Sequence, residues 1–253
     1  MTTPIASSGS AAQPHHHSGV AGDPRSLSIS WTGLRAHGEC KQKAYRLRGG
    51  HRSPVGDLRT FFHGMVVDRV MQAWLHDEAR SPRTMAAMVD DMITQAAADA
   101  VTDGDGVVRW RHLHDRAELR EFCVELVTRL EPLLDRLVLP YRFEGPTRFK
   151  VALTVPYLDG SPVPIHLAGE MDLLVHRADG RVIWDLKGTK DDQYWRKVLG
   201  QLVFYDVANL IATGTRPVLV GLIQPMCPEP VLEWTLTDDH RRAMQARIVA
   251  MCT

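Results

Sequence analysis

The stretch GEMDLLVHRADGRVIWDLKGTK, Gly169 to Lys190, decides the fold. Two apolar runs flank Asp179-Gly180, the pattern of a β-hairpin. Each run holds charge where a core-facing strand normally excludes it: Asp172 in the first, Asp185 and Lys187 in the second. Side chains alternate faces along a strand, so Glu170, Asp172, Leu174 and His176 share one face, and Ile183, Asp185 and Lys187 share one face of the next strand. With the turn centred on Asp179-Gly180, Ala178 pairs with Arg181, Leu174 with Asp185 and Asp172 with Lys187. All three charges then lie on one face, with Asp172 opposite Lys187 and ~7–8 Å diagonally from Asp185. Two converging carboxylates suit a hard cation such as Mg²⁺, which takes one or two carboxylates together with water and phosphate oxygens. A lysine beside them suits an attacking water or a developing oxyanion. A cross-strand Asp–Lys ion pair beside one solvent-facing Asp accounts for the same charges, and the charges alone leave both readings open.

Outward from the hairpin, the period of the chain changes. TRFKVALTVPYL, VPIHLAGEMDLLVH and RVIWDLKG read as strands, followed by the helix DDQYWRKVLGQLVFYDVANLIATG, capped by Asp191 or Asp192 and stopped at Gly214. PVLVGLIQP and VLEWTLT are two more strands, and DDHRRAMQARIVAM a last helix. Upstream the pattern is helical. A helix is expected from Trp31 to Arg46, and another along Phe62, Val66, Val70 and Trp74, with His63 beside that stripe. Two further helices are expected, one capped by Ser81 or Thr84 and one opened by Asp115 with Glu118 three residues on. Cys123 falls among apolar residues of the latter and reads as a core thiol. The order predicts an α/β fold, a mixed central sheet flanked by helices, with a helical part over about 28–140 and a sheet core over about 141–253. Residues 1–25, rich in Ser, Ala, Gly, Pro and His, read as a disordered tail, leaving 26–253 as one domain.

Composition bounds the function. The 253 residues are 44% hydrophobic with 30 basic and 30 acidic side chains, so a globally basic nucleic-acid binder is excluded and any basic surface is local. Lys41, Lys43, Arg46, Arg48 and Arg52 supply one such segment. No apolar run is long enough for a membrane span, no secretory block opens the chain, and the cysteines at 40, 123, 227 and 252 form no CxxC; a cytoplasmic protein with reduced thiols is expected.

Gly169-Glu170-Met171-Asp172, then Asp185-Leu186-Lys187, then QLVFY with Gln201 and Tyr205, resemble the PD-(D/E)xK nucleases of the RecB type. That family has a G-x-x-D strand, a (D/E)-x-K strand and a Q-x-x-x-Y helix in this order. FHGMVVD, with His63, is similar to the helical histidine motif upstream of it, and SISWTGLRAHGECKQKAY to its opening helix. The resemblance covers about Ser28 to Tyr205. It extends to the exonucleases of CRISPR adaptation and the AddB nuclease domain.

The resemblance implies a restriction-endonuclease-like fold and a Mg²⁺- or Mn²⁺-dependent DNA nuclease, expected to be an exonuclease on ends or single strands in recombination, repair or phage DNA processing. It implies Asp172, Asp185, the Leu186 carbonyl and His63 as metal ligands, and Lys187 acting on the attacking water. Gln201 and Tyr205, four apart on one helix face, would contact DNA or brace the site; a buried hydrogen bond and a core aromatic are the other readings. Glu170 reads as a further acid or a solvent-exposed residue. The basic segment would become a phosphate-binding wall. Relatives hold an iron–sulfur cluster with one early and three late cysteines. Cys40 matches the early one, but only Cys227 and Cys252 lie late, so the set is incomplete within this sequence. A restriction-type or structure-specific endonuclease, and a non-catalytic DNA-binding relative, are the alternatives. No G-x-x-x-x-G-K-[ST] is present, so unwinding would fall to a helicase or recombination partner.

Overall fold

The computed structural model describes residues 27–39, 58–77, 84–102, 116–157 and 159–252. The expected tail, the basic segment Lys41 to Arg52, Cys40, and the caps Ser81 and Asp115 lie outside them. In chain order the elements are β1 (Leu27–Ile29), α1 (Trp31–Glu39), α2 (Leu58–Leu75), α3 (Met85–Thr102), α4 (Arg116–Leu137), β2 (Arg142–Glu144), β3 (Thr147–Pro156), β4 (Pro162–Met171), β5 (Leu173–Arg177), β6 (Gly180–Leu186), α5 (Trp195–Thr213), β7 (Leu219–Ile223), β8 (Val231–Trp234) and α6 (Asp238–Cys252). The strands form a five-stranded sheet, β2-β5-β6-β7-β8, and a three-stranded sheet, β1-β4-β3. Both are mixed: β6 runs parallel to β7, and β1 parallel to β4. The parallel β6–β7 pair follows from the α5 crossover between them, since parallel neighbours cannot be joined by a tight turn.

Alternation along the strands sorts the core. Leu173, Val175, Val182 and Trp184 pack with α2, α3 and α4 on one face. Leu174, Ile183, Val220 and Leu222 pack with α5 and α6 on the other. Helix α3 starts as its sequence predicts: the Thr84 hydroxyl accepts from the Ala87 N–H at 3.4 Å, and Glu131 accepts from the Met85 N–H at 2.7 Å. Helix α5 ends at Gly214, whose φ of 69° carries the left-handed cap.

Four expectations are corrected. The single strand expected through VPIHLAGEMDLLVH breaks at Asp172, so β4 joins one sheet and β5 the other. The hairpin closes on Arg177↔Gly180, pairing His176 with Arg181 and Leu174 with Ile183. The turn is therefore Ala178-Asp179. Gly180 meets a packing demand: with φ at 140°, a Cβ there would lie 2.5 Å from the Val218 side chain. The slip is even, so the paired residues of β5 and β6 keep their faces. Asp191 does not cap α5. It accepts from the Gln193 N–H at 3.0 Å in a preceding turn, and the helix begins at Trp195 after Tyr194, which provides no side-chain cap. Finally, the N-terminal portion is not purely helical, because β1 pairs with β4.

Candidate active site

Asp172 occupies the break between β4 and β5, where its Oδ2 accepts from the Leu186 N–H at 2.7 Å. The gap is tight: a Cβ at Gly145 would stand 2.5 Å from the Asp172 carbonyl oxygen. The β5–β6 pairing ends at Leu173↔Trp184, so Asp172, at the break, is paired with no residue of β6 and does not stand opposite Lys187 as the sequence register had it. Asp185 sits at the end of β6 on the α5 face and is 0% exposed. Lys187 Nζ lies 2.6 Å from its Oδ2, an ion pair. From α5, Gln201 Nε2 donates to Asp185 Oδ1 at 3.0 Å and to the Tyr205 hydroxyl oxygen at 2.7 Å. Gly169 makes room for this arrangement. A Cβ there would be 2.8 Å from the Phe149 ring and 3.4 Å from that of Tyr205. Asp172, Asp185, Leu186, Lys187, Gln201 and Tyr205 are thus one connected cluster, and Gln201 and Tyr205 brace it.

Burial pushes the Asp172 carboxyl up, the Asp185 charge adds to this, and Lys187 and the Leu186 N–H offset only part of it, leaving it at about 7. Burial also raises Asp185 despite the ammonium beside it. For Lys187, burial favours the neutral form, but Asp185 and Asp172 outweigh it and the ammonium is held above the ordinary lysine range. Burial pushes the Tyr205 phenol up to about 12, so it stays protonated.

The cluster opens on a cavity of about 570 Å³ that Asp172 and Lys187 line together with His63, Asp68 and Tyr194. His63, on α2, stacks on Phe122 with ring centroids 4.4 Å apart. It shares the cavity with Asp172. Asp68, five residues on, is the acid that the sequence reading passed over. Its charge raises Asp172, and burial raises Asp68 itself. The signal that finds it is the one used on the strands: a carboxylate inside an apolar run, between the buried Val67 and Val70. Glu170 is not in the cluster; it is bound to Arg148 at 2.6 Å near the surface.

Among the described residues, no three His, Cys, Asp or Glu side chains form a ready-made metal cage. The donor chemistry nevertheless fits a hard divalent cation. Asp172 and Asp185 face the Lys187 ammonium, Asp68 lines the same cavity as Asp172, and burial raises all three carboxyls. Cys123 and Cys227 are buried free thiols, Cys227 donating to the Thr189 carbonyl at 3.3 Å.

A family model for the PD-(D/E)XK nuclease superfamily matches residues 28–229. Among solved structures, a candidate exonuclease from Eubacterium rectale is similar with a TM-score of 0.51 at 13% identity, over 96% of this chain and 84% of that one. At that identity the likeness establishes the fold alone. The protein SSO0001, also 13% identical, is similar over 55% of this chain and 70% of its own with a TM-score of 0.29, too distant to carry an argument. No curated protein matches the chain.

Proposed function

The chain belongs to the PD-(D/E)XK nuclease superfamily, and on that premise we propose that it is a RecB-type, divalent-metal-dependent exonuclease that hydrolyses DNA phosphodiester bonds at ends or in single strands. The observation that carries this reading is the buried Asp172–Asp185–Lys187 cluster, of which Asp172 and Lys187 line an open cavity. Superfamily members generally use divalent ions such as Mg²⁺ or Mn²⁺. Asp172, Asp185 and the Leu186 carbonyl would hold the ion, with Asp68 and His63 on the same cavity wall. When bound, such an ion supplies positive charge toward the scissile phosphate and acidity to a water. Lys187, kept charged by its carboxylate neighbours, donates to a phosphate oxygen as charge builds there. Gln201 fixes the orientation of Asp185, and the Tyr205 hydroxyl, which accepts from Gln201, keeps its own proton to donate. Recombination, repair or phage DNA processing would supply such ends, and a helicase partner any unwinding.

Labelled linear, closed circular and single-stranded DNA, each with Mg²⁺, Mn²⁺ or EDTA, test the proposal. Loss of linear and single-stranded DNA with circles intact supports it. Cut circles identify an endonuclease, and binding without cleavage a non-catalytic relative. Asp185→Asn is expected to lose both cleavage and calorimetric Mn²⁺ binding while circular dichroism stays native. Unchanged Mn²⁺ binding by that variant removes Asp185 from the site.

A further inference from the structure

Across the turn that leads into α5 lies a second cavity, of about 460 Å³, lined by Asp192, Trp195, Gln224, Glu229 and Trp234 among others. The two cavities are neighbours along the chain: Lys190 and Tyr194 line the first, and Asp192 and Trp195 the second. The Trp195 and Trp234 rings stand 6.3 Å apart, inclined by 34°, and both are partly exposed. Gln224 is 1% exposed, and its Nε2 donates to the Glu229 carbonyl at 3.1 Å. That bond fixes Oε1 as the acceptor, and Oε1 has no partner. Asp192 and Glu229 add two exposed carboxylates. A cavity with acidic rims repels phosphate, yet its aromatic walls suit a flat ring and its acceptors suit N–H donors. Outside it, Arg196 sits 5.5 Å above the Trp195 ring and offers a cation for the adjoining backbone.

Resting on the nuclease reading above, we propose that this cavity takes an unpaired nucleobase with an exocyclic amino group, adenine, cytosine or guanine, of the strand whose phosphate lies at the Asp172–Asp185 cluster. Stacking on Trp195 and Trp234 supplies the affinity, and the acceptors disfavour thymine, which presents carbonyls where cytosine and adenine present an amino group. A duplex keeps its bases stacked and paired, so the cavity selects a single strand or a frayed end.

The test is fluorescence anisotropy of the full chain in EDTA with labelled oligo(dA), oligo(dC), oligo(dT) and a blunt duplex. Oligo(dA) and oligo(dC) are expected to bind more tightly than oligo(dT). Trp234→Ala is expected to weaken them by roughly ten- to a hundredfold, the scale of one lost base–aromatic stack, with little change for the duplex. Because Trp234→Ala also removes packing against the core, Trp234→Phe and Glu229→Gln are run beside it. Trp234→Phe should recover most of the loss, and Glu229→Gln should narrow the gap between oligo(dC) and oligo(dT). Equal binding of the three oligonucleotides by the wild type, or undiminished binding by a folded Trp234→Ala, overturns the proposal. A wild type that binds the duplex and no single strand overturns the cavity assignment and leaves the nuclease reading standing; one that binds no DNA in EDTA also overturns the cavity assignment alone, since the nuclease reading rests on a divalent cation and is judged by cleavage with Mg²⁺ or Mn²⁺.

Discussion

At the scale of single residues, Lys187 separates catalysis from packing. Its ammonium lies 2.6 Å from a carboxylate that is 0% exposed. Lys187→Ala is expected to reduce single-turnover cleavage by roughly a hundredfold or more, the scale of one lost acid–base or oxyanion contribution. It should also melt lower in EDTA, because Asp185 is left buried without its counter-charge. Lys187→Arg does not rescue cleavage, since the guanidinium is larger and planar. If Lys187 serves only as a salt-bridge partner, the Ala variant melts lower but cleaves at nearly the wild-type rate, so both are measured on one preparation. Asp172 gives a second prediction. Its folded-state pKa of about 7 lies above the ordinary 3.8, so between those values the folded state binds more protons than the unfolded. Stability of the metal-free protein should therefore rise as pH falls from about 7.5 to 5. Lys187, raised from an ordinary value of 10.5, keeps its full contribution throughout that window and adds no slope. Urea denaturation in EDTA measures this, with Asp172→Asn expected to flatten the dependence; stability that instead grows from pH 5 to 7.5 in the wild type contradicts it.

At the scale of elements, what holds α5 over the sheet decides whether Gln201 reaches Asp185. Arg241 of α6 forks onto Asp206 of α5, Nε to Oδ2 at 2.6 Å and Nη2 to Oδ1 at 3.2 Å, and its Nη1 donates to the Leu236 carbonyl at 2.9 Å. Asp206 is 0% exposed and Arg241 7%. Removing Asp206 leaves Arg241 with only the exposed Asp238, 3.3 Å from its Nη1, so Asp206→Ala should cost somewhat less than the ~3–5 kcal/mol of a fully stranded charge. Arg241→Lys alone should also destabilise, because an ammonium keeps the charge but cannot make the paired contact. An Asp206→Leu/Arg241→Met double variant should lie nearer to wild type than Asp206→Ala, since it leaves no lone charge. Equal destabilisation by the double and the single variant would point to lost shape rather than lost charge balance.

At the scale of the whole molecule, zero net charge and a deep acidic site are reconciled only if DNA is gripped locally. The sequence places five basic residues between Lys41 and Arg52, outside the described residues. Iron is the other molecular question. Burial pushes the Cys123 thiol up to about 12, and burial with Asp192 and Asp191 raises Cys227, both opposing the thiolates a cluster needs. The anaerobically purified chain should be colourless, and a brown preparation with stoichiometric iron would show that reading to be wrong.

Local pattern by itself located most helices and strands, the charges within the apolar runs of the hairpin and the Gln201–Tyr205 pair, because the periods of strand and helix are properties of the backbone. The same periodicity hid what depends on distant residues. Val218, nearly forty positions beyond Gly180, closes on this glycine, whose positive φ follows the Ala178-Asp179 turn, and the hairpin pairs Leu174 with Ile183 rather than with Asp185. The division of strands between two sheets turned an expected continuous strand into a break that aims Asp172 at the Leu186 N–H. Asp68 joined the site for the same reason: α2 packs against the sheet face opposite α5, and only that packing brings its carboxylate into the cavity of Asp172. A charge within an apolar run is legible in sequence; which other charges it meets is set by how helices and sheets pack.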